Sequence, residues 1–222
     1  MEVTLFSNQI NDILTNAEKY HFAYYKEEKF RGPSLYFHRR SLEARNNEKF
    51  ETFLEYIYAT LASWGMHRMG KGGSKMQSFD VFKESVIKVK RFIDEAESID
   101  FRNIKSTDWF LLEEIFKTIN VMASGTSLVG NSKVMAHLLP YIVPPIDRQH
   151  TLMYLYEKTN IKNDLNHEWE LMKEIIGDFF VLIACDETFF EKARVWINDQ
   201  MSFPWDTSTL KVIDNLVIGV KR

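Results

Sequence analysis

The stretch Leu128–Thr151, LVGNSKVMAHLLPYIVPPIDRQHT, decides how the rest of the chain is interpreted. Gly130 can adopt the positive φ of a tight turn, and Asn131 is one of the few other residues that tolerate it. We therefore predict that Leu128–Ser132 forms a turn. A short apolar helix is expected to follow it, from Lys133 to Leu139.

The start of this predicted helix is suited to binding a phosphate. A helix N-terminus has free backbone N–H groups, and its dipole favours an anion. Gly130 and Ser132 would supply the N–H groups, and Lys133 would supply an ammonium group. We predict that these three residues hold a phosphate.

The prolines that follow separate two helices. Pro140 and Pro144–Pro145 end the first helix, because the residue before a proline is pushed out of the α region. Asp147 then stands at the position from which RQHTLMYLY can form the next helix. Capping the N-terminus of that helix would by itself explain an aspartate at this position.

Outside this stretch, the chain also has helical periodicity. Apolar residues recur three and four positions apart in several segments, as one face of a helix requires. Sustained alternation of apolar and polar residues is missing, so we predict no sheet. The expected fold is a compact all-α globule of about eight to ten helices, with two lobes as an alternative. The stripes lie at Phe50–Leu61, Phe79–Ile93, Trp109–Ile119, Trp169–Ile183 and Phe189–Ile197.

We find no linker long enough to separate independent domains. Composition alone suggests that residues 1–45 add a layer to a helical body formed by residues 46–222. That body would contain the turn and helix at about residues 124–139.

The composition excludes several classes of protein. A 45% hydrophobic content with only 9 Gly and 5 Pro excludes disordered and collagen-like chains. Neither a signal peptide nor an apolar run of about 20 residues is evident, so we expect a cytoplasmic protein that does not span a membrane. The single Cys185 is expected to be a buried thiol. The histidines lack metal-ligand spacing and no dinucleotide motif is found, so we predict no metal and no cofactor.

Local basic runs would have to carry any binding to nucleic acid, because the net charge is −3. Residues 66–91 contain seven basic and two acidic residues, and FHRRSLEAR adds three arginines. An ordinary solvated helix face explains either run equally simply. The basic residues are Arg68, Lys71, Lys75, Lys83, Lys88, Lys90 and Arg91 in the first run, and Arg39, Arg40 and Arg45 in the second.

The stretch that opens this section resembles the helix–hairpin–helix DNA glycosylases, the superfamily that includes endonuclease III. Leu128, Gly130 and Ala136 match the hairpin and its packing residue, and Ile146-Asp147 matches an aliphatic-Asp pair that opens the next helix. The sequence departs from the family at Ser132, where a second glycine is usual. It also departs at Val134, where the bifunctional members have a nucleophilic lysine.

The resemblance implies a monofunctional enzyme of base excision repair that binds double-stranded DNA and hydrolyses the N-glycosidic bond of a flipped base. Asp147 would be the catalytic carboxylate that stabilises a cation-like sugar. Trp64, His67 and Arg68 are candidates for the base pocket or for DNA contacts. Two alternatives remain open: a DNA-binding module without activity, or an all-α interaction domain with no role on DNA.

A wedge that fills the space left by a flipped base would complete this arrangement. Tyr36 and Phe37 are the candidates, and Arg39 and Arg40 would contact DNA nearby. A structural aromatic pair is the simpler explanation of Tyr36 and Phe37.

Overall fold

The computed structural model of the chain describes residues 5–27, 32–47, 49–70 and 73–220. These residues are mostly helical, so the all-α prediction is confirmed. The helices are α1 (Ser7–Glu27), α2 (Pro33–Asn47), α3 (Phe50–Ser63), α4 (Phe79–Lys88), α5 (Lys90–Ala96), α6 (Ser106–Thr118), α7 (Leu128–Leu138), α8 (Met153–Tyr156), α9 (Leu165–Ile175), α10 (Val181–Ala184), α11 (Glu187–Asn198) and α12 (Thr209–Val220).

Two π-helical turns, one 3₁₀ turn and one short hairpin lie between these helices. The π-helical turn Arg148–Leu152 leads directly into α8, and the turn Ile176–Phe180 joins α9 to α10. A 3₁₀ turn covers Phe101–Asn103. The hairpin pairs β1 (Met69–Gly70) with β2 (Gly73–Ser74) in antiparallel fashion.

The apolar stripe from Phe79 to Ile93 belongs to two helices rather than to one. Val89 separates α4 from α5, with a φ of −107° and a ψ of 10° that lie outside the helical range. Phe82, Val86 and Ile93 still face the core from either side of this break. The periodicity predicted the buried face correctly but contained no signal for the break.

Helix α12 is the central helix of the fold. It packs along α1 and also contacts α10 and α11, and nearly every residue from Leu210 to Gly219 is buried. A helix that is buried all round is normally apolar all round. Lys211 and Asp214 are therefore unusual, because they are charged and yet buried in this helix.

The two N-terminal helices belong to the same hydrophobic core as the rest of the chain. Helix α1 contributes Ile13 and Ala17, and α2 contributes Ala44. Helix α2 packs mainly along α3 and also touches α7. This packing brings α2 close to the segment that the sequence singled out.

The exposure of Cys185 and the length of the helices bear on two further predictions. Cys185 is exposed at the end of α10, so the prediction of a buried thiol is wrong. The residue ends its helix beside the polar Asp186, which leaves its side chain at the surface. Among the described residues, no helix combines the length and the apolar character needed to cross a membrane.

Candidate functional site

Helix α7 begins five residues earlier than predicted. It starts at Leu128, so Gly130 lies inside the helix, and the positive φ of 83° occurs at Gly125. Gly130 is required for another reason: a Cβ there would lie 2.6 Å from Cγ of Met122 and 2.8 Å from Cγ1 of Val121. The predicted turn at Leu128–Ser132 is therefore wrong, and the glycine permits close packing instead.

A carboxylate of the protein itself lies at the N-terminus of α7. The backbone N–H of Leu128 donates to Oε2 of the buried Glu168 at 2.6 Å. Burial raises the pKa of this carboxyl, while hydrogen bonds from the N–H groups of Leu128 and Ser127 oppose the rise. Gly130 and Ser132 are themselves buried. Glu168 therefore satisfies the first N–H groups of α7, and the phosphate site assigned to Gly130, Ser132 and Lys133 stays a prediction.

Two polar residues after Gly130 hold neighbouring segments in place. Nδ2 of Asn131 donates to the carbonyls of Phe116 and Ile119, at 2.8 and 2.9 Å, and so caps the C-terminus of α6. Oγ of Ser132 accepts from the backbone N–H of Ile146 at 3.1 Å. That second contact fixes the backbone immediately before Asp147 against α7.

Lys133 and Asp147 meet as a consequence. Nζ of Lys133 donates to Oδ2 of Asp147 at 3.4 Å, and the two side chains are 13% and 31% exposed. Nζ also lies 5.4 Å from the ring centroid of Trp64, within range of a cation–π contact. Val134, where the family lysine would fall, is buried in the core. The lysine that reaches Asp147 is therefore Lys133.

Asp147 is the predicted N-cap, and it is also ionised. Its Oδ1 accepts from the N–H groups of Gln149 and His150, at 2.8 and 3.3 Å. Burial by itself raises the pKa of this carboxyl. The charge of Lys133, the hydrogen bond from Gln149 and the charge of His150 outweigh burial, so that the pKa lies below its usual value.

A cavity of about 130 Å³ opens beside Asp147. We call it the Asp147 cavity. Its lining combines tryptophan side chains, short apolar side chains and four charged groups, which is typical of sites that bind small polar ligands. The lining residues are Tyr24, Trp64, Lys133, Pro145, Asp147, His150, Trp205, Lys211, Asp214 and Ile218.

A buried polar network supports the inner side of this cavity. Nζ of Lys211 donates to Oδ2 of Asp214 at 2.7 Å and to the side-chain oxygen of Asn215. Asn215 donates in turn to Asp206 at 2.7 Å. Asp206 is 2.7 Å from Nε2 of His21, which stacks on an aromatic ring of α11. Each charge therefore has partners, as burial demands.

A pair of buried histidines lies behind Trp64. Nδ1 of His38 is 3.1 Å from Nε2 of His137, and Nδ1 of His137 is 2.8 Å from the carbonyl of Lys133. Since a carbonyl only accepts, His137 donates through Nδ1 and accepts from His38 through Nε2. Burial lowers the pKa of His137 to about 4 and lowers that of His38 well below its usual value.

This pair should make the fold sensitive to acid. The unfolded chain binds a proton at each histidine below about pH 6.5, whereas the folded chain resists protonation, so stability falls as the pH drops below that value. We expect the free energy of unfolding to be about 2 kcal/mol lower at pH 5 than at pH 7 for His137 alone. Urea denaturation at both pH values measures this. His137→Gln, whose side-chain oxygen can still accept from His38, should show a smaller fall; an identical fall would contradict the assignment.

The three candidates near the end of α3 differ in position. Trp64 lines it, but His67 and Arg68, which follow in the chain, are exposed and do not. Nδ1 of His67 donates to the carbonyl of Ala62 at 2.7 Å. The guanidinium of Arg68 lies against Gly65.

Helix α2 presents its candidates to solvent. Tyr36 is 57% exposed and contacts Phe37 edge to face, at 5.3 Å between ring centroids. Arg39 donates to the carbonyl of Gln200 at 3.1 Å. Arg40 donates to Glu43 and to a tyrosine of α3. The wedge and the DNA contacts assigned to these residues stay predictions.

Ion pairs partly neutralise the basic run of residues 66–91. Lys83 pairs with Glu51 at 2.7 Å, and Lys90 and Arg91 pair with acidic residues one helical turn later. Lys71 lies outside the described residues. This leaves Arg68, Lys75 and Lys88 as the charges of the described run for which no ion pair is found.

The predictions from the sequence did not include several residues that line the Asp147 cavity. Trp205, Lys211 and Asp214 come from the last quarter of the chain, far from the stretch that drew attention. One signal was available: LKVIDNLVIG has a lysine and an aspartate three positions apart in an otherwise apolar helix. Burying such a pair costs free energy, so its place in an apolar helix is not explained by stability alone.

A second cavity, of about 670 Å³, is larger than the Asp147 cavity. It lies between α9 and the segment after α8, and exposed lysines and glutamates line much of it, together with Trp109 and Tyr156. Its lysines and carboxylates alternate around an open groove, as in an ordinary solvated surface. The Asp147 cavity is the better candidate site, because its charged groups are largely buried.

Comparisons of the chain with protein-family models, with curated proteins and with solved structures found no match. The candidate site therefore rests on its geometry and on the residue types that form it.

Ser132 offers a test of how this site is positioned. Ser132→Ala leaves the N–H of Ile146 buried without its acceptor, which we expect to lower the free energy of unfolding by about 1 to 3 kcal/mol. Urea denaturation measures the change. The matched control is Ser41→Ala, since Ser41 is equally buried but bonds only to a carbonyl of its own helix. Equal effects of both substitutions would refute a special role for Ser132.

Proposed function

We propose that the protein binds double-stranded DNA and hydrolyses the N-glycosidic bond of a base flipped into the Asp147 cavity. One observation carries the proposal: the contact between the Lys133 ammonium and the Asp147 carboxylate, at 3.4 Å, on the wall of a cavity lined by Trp64 and Trp205. A flipped base is held by stacking and by a few hydrogen bonds, and such a lining provides both.

The chemistry assigns a clear role to Asp147. As the bond between base and sugar breaks, positive charge develops on the sugar, and a nearby carboxylate stabilises it. Water then adds to C1′ and loses a proton, while the base leaves with its electron pair and takes up a proton. Asp147 suits this role because its pKa is lowered, so it is ionised at neutral pH.

The position of Lys133 favours a second candidate reaction. After the Lys133 ammonium loses a proton, its amine can attack C1′ and displace the base, which leaves with its electron pair. The C1′–O4′ bond then breaks and opens the sugar ring, so that an imine forms between Nζ and C1′, and loss of a 2′ proton expels the 3′ phosphate. Asp147, in contact with Nζ, is placed to exchange the protons of these steps. The reaction would make the enzyme bifunctional despite the valine at position 134.

Two readings without catalysis compete with these. In the first, the protein binds DNA but releases no base. In the second, Asp147 is only a helix cap and the protein does not bind DNA; the net charge of −3 favours that one. The ion pairs that neutralise part of the basic run also favour it.

The first experiment compares binding to a duplex that contains one stable abasic-site analogue with binding to the same duplex unmodified, over a series of salt concentrations. The control variant is Lys133→Glu. A preference for the abasic duplex that is lost in Lys133→Glu supports the proposal. Binding without preference indicates a DNA-binding module, and no binding at low salt, where phosphate contacts are strongest, refutes a role on DNA.

A second experiment separates hydrolysis from the imine reaction. Borohydride reduces an imine to a stable amine, so it links protein and DNA covalently only when an amine of the protein is the nucleophile. Base release with no covalent product indicates hydrolysis. A covalent product that Lys133→Gln abolishes indicates the bifunctional reaction.

A further inference from the structure

We propose that one water molecule binds between the imidazole of His38, on α2, and the hydroxyl of Ser208, at the start of α12. The site is a small cavity beside the Asp147 cavity, which we call the His38 cavity. The inference does not depend on any role in DNA chemistry. It follows from the tautomer of His38 and from the volume and the polar lining of the His38 cavity.

The tautomer of His38 leaves one of its ring nitrogens as an acceptor. His137 donates through Nδ1 to the carbonyl of Lys133, so its Nε2 accepts. Nδ1 of His38, at 3.1 Å from that nitrogen, is therefore the donor of the histidine pair. Burial lowers the pKa of His38 well below its usual value, so the ring is neutral at pH 7. Nε2 of His38 then has a lone pair and no hydrogen.

This acceptor is buried in the protein. His38 is 4% exposed, and its Nε2 has no hydrogen-bond partner among the described residues. Buried polar atoms of side chains are nearly always hydrogen-bonded, either to the protein or to an ordered water. Since no described group of the protein donates to Nε2, we infer that a water molecule does.

The His38 cavity has the volume for such a water. His38 lines it, and its volume is about 20 Å³. Roughly 10 to 15 Å³ of this kind is enough for one water molecule. The cavity is therefore large enough for one water and too small for an organic ligand.

Ser208 supplies a second polar contact in the same lining. It is 3% exposed, and its Oγ accepts from the backbone N–H of Lys211 at 3.2 Å. The hydrogen of this hydroxyl has no acceptor among the described residues. A water molecule can accept from Ser208 and donate to His38, which matches the groups that the protein offers.

The charge of the lining favours water over a metal ion. Lys211 also lines the His38 cavity, and its positive charge contributes to the lowered pKa of His38. A second cation at this place would be repelled. The described residues also contain no cluster of His, Cys, Asp or Glu side chains that could hold a metal.

The position of this water connects two parts of the fold. Trp64, Pro145 and Lys211 line both the His38 cavity and the Asp147 cavity. The water would thus bridge α2 to the start of α12 behind the wall that the two cavities share. Buried waters with several hydrogen bonds act as part of the structure and are costly to remove.

A crystal structure of the full chain, at a resolution that defines its surface waters, tests the inference. We expect one density peak within about 3.2 Å of both Nε2 of His38 and Oγ of Ser208. The absence of a peak overturns the proposal. So does a peak that contacts only one of the two atoms, or a protein donor that bonds directly to Nε2.

Ser208→Ala tests the second contact in the same crystals. A buried water needs at least two polar partners, so we expect the peak to disappear. The matched control is Ser85→Ala, since Ser85 is also buried and accepts from a backbone N–H, that of Asn120 at 2.9 Å, but does not line the His38 cavity. The peak should remain in this control. A peak that survives in Ser208→Ala overturns the role of Ser208.

Discussion

Asp147→Asn is expected to reduce base release by about 10²- to 10⁴-fold, the range typical of losing a charge that acts in the transition state. Asparagine keeps an oxygen that can accept from the N–H groups of Gln149 and His150, so the cap and the fold should survive. Asparagine has no negative charge, so its contact with the Lys133 ammonium is no longer an ion pair. Single-turnover base release measures the effect, and thermal unfolding checks the fold.

The matched control for this substitution is Asp186→Asn. Asp186 is also an N-cap, accepting from the N–H of Phe189 at 2.8 Å, but it does not line the Asp147 cavity. Its substitution should leave base release unchanged. If both variants release bases as fast as the original protein, Asp147 is only a cap and the proposed reaction is wrong.

The pH dependence of base release gives a second check on Asp147. Its carboxyl must be ionised, and its pKa lies below the usual value. Base release limited by Asp147 should therefore decline only below the ordinary aspartate value of about 3.9. A decline that begins above this value would have to arise from another group or from acid unfolding, and the two buried histidines make such unfolding an expected contribution.

Gly219→Ala is expected to lower the free energy of unfolding by about 3 kcal/mol or more, at the upper end of the range for overpacking. A Cβ at Gly219 would lie 2.1 Å from the carbonyl oxygen of Tyr20, so α1 and α12 would have to move apart. The obstacle is backbone, which cannot rotate away as a side chain can. Urea denaturation with circular dichroism measures the loss.

Gly177→Ala is the control for this second substitution. Gly177 also lies in a helical segment, but its Cβ would meet only a ring atom of Trp109, at 3.7 Å, which is an ordinary contact. We expect little change or a small gain in stability, since alanine restricts the unfolded chain more than glycine does. Equal losses from both substitutions would mean that the close approach of α1 and α12 is not the cause.

Local signals in the sequence predicted the class of fold and three residues that line the Asp147 cavity, which are Trp64, Lys133 and Asp147. Apolar residues three and four positions apart predicted α3, α6 and α11, because a helix buries one face whatever its partner is. Asp147 was predicted as an N-cap because prolines upstream end the preceding helix and leave one place where the next can begin.

Tertiary contacts showed the structural role of Gly130 and of the N-terminus of α7. A glycine is compatible with a positive φ and also with close packing, and only the side chains of Val121 and Met122 show that Gly130 serves packing. Likewise, a free helix N-terminus can bind a phosphate, and only the position of Glu168 shows that a carboxylate of the protein satisfies it. Val121 and Met122 lie outside any helix, and Glu168 lies 40 residues after Leu128 in the chain. No local sequence pattern therefore identifies these contacts.

The sequence by itself determined that the chain is helical, which face of several helices is apolar, and that Asp147 opens one helix, because these features depend on residues within one or two helical turns. Only the tertiary structure decided that Asp147 lies in a cavity with Lys133, Lys211 and two tryptophans. These residues come from α7, α12, the loop before α12 and the position that directly follows α3, and helix packing sets the distances between them. Such distances depend on the shape of the whole core, which no short stretch of sequence contains.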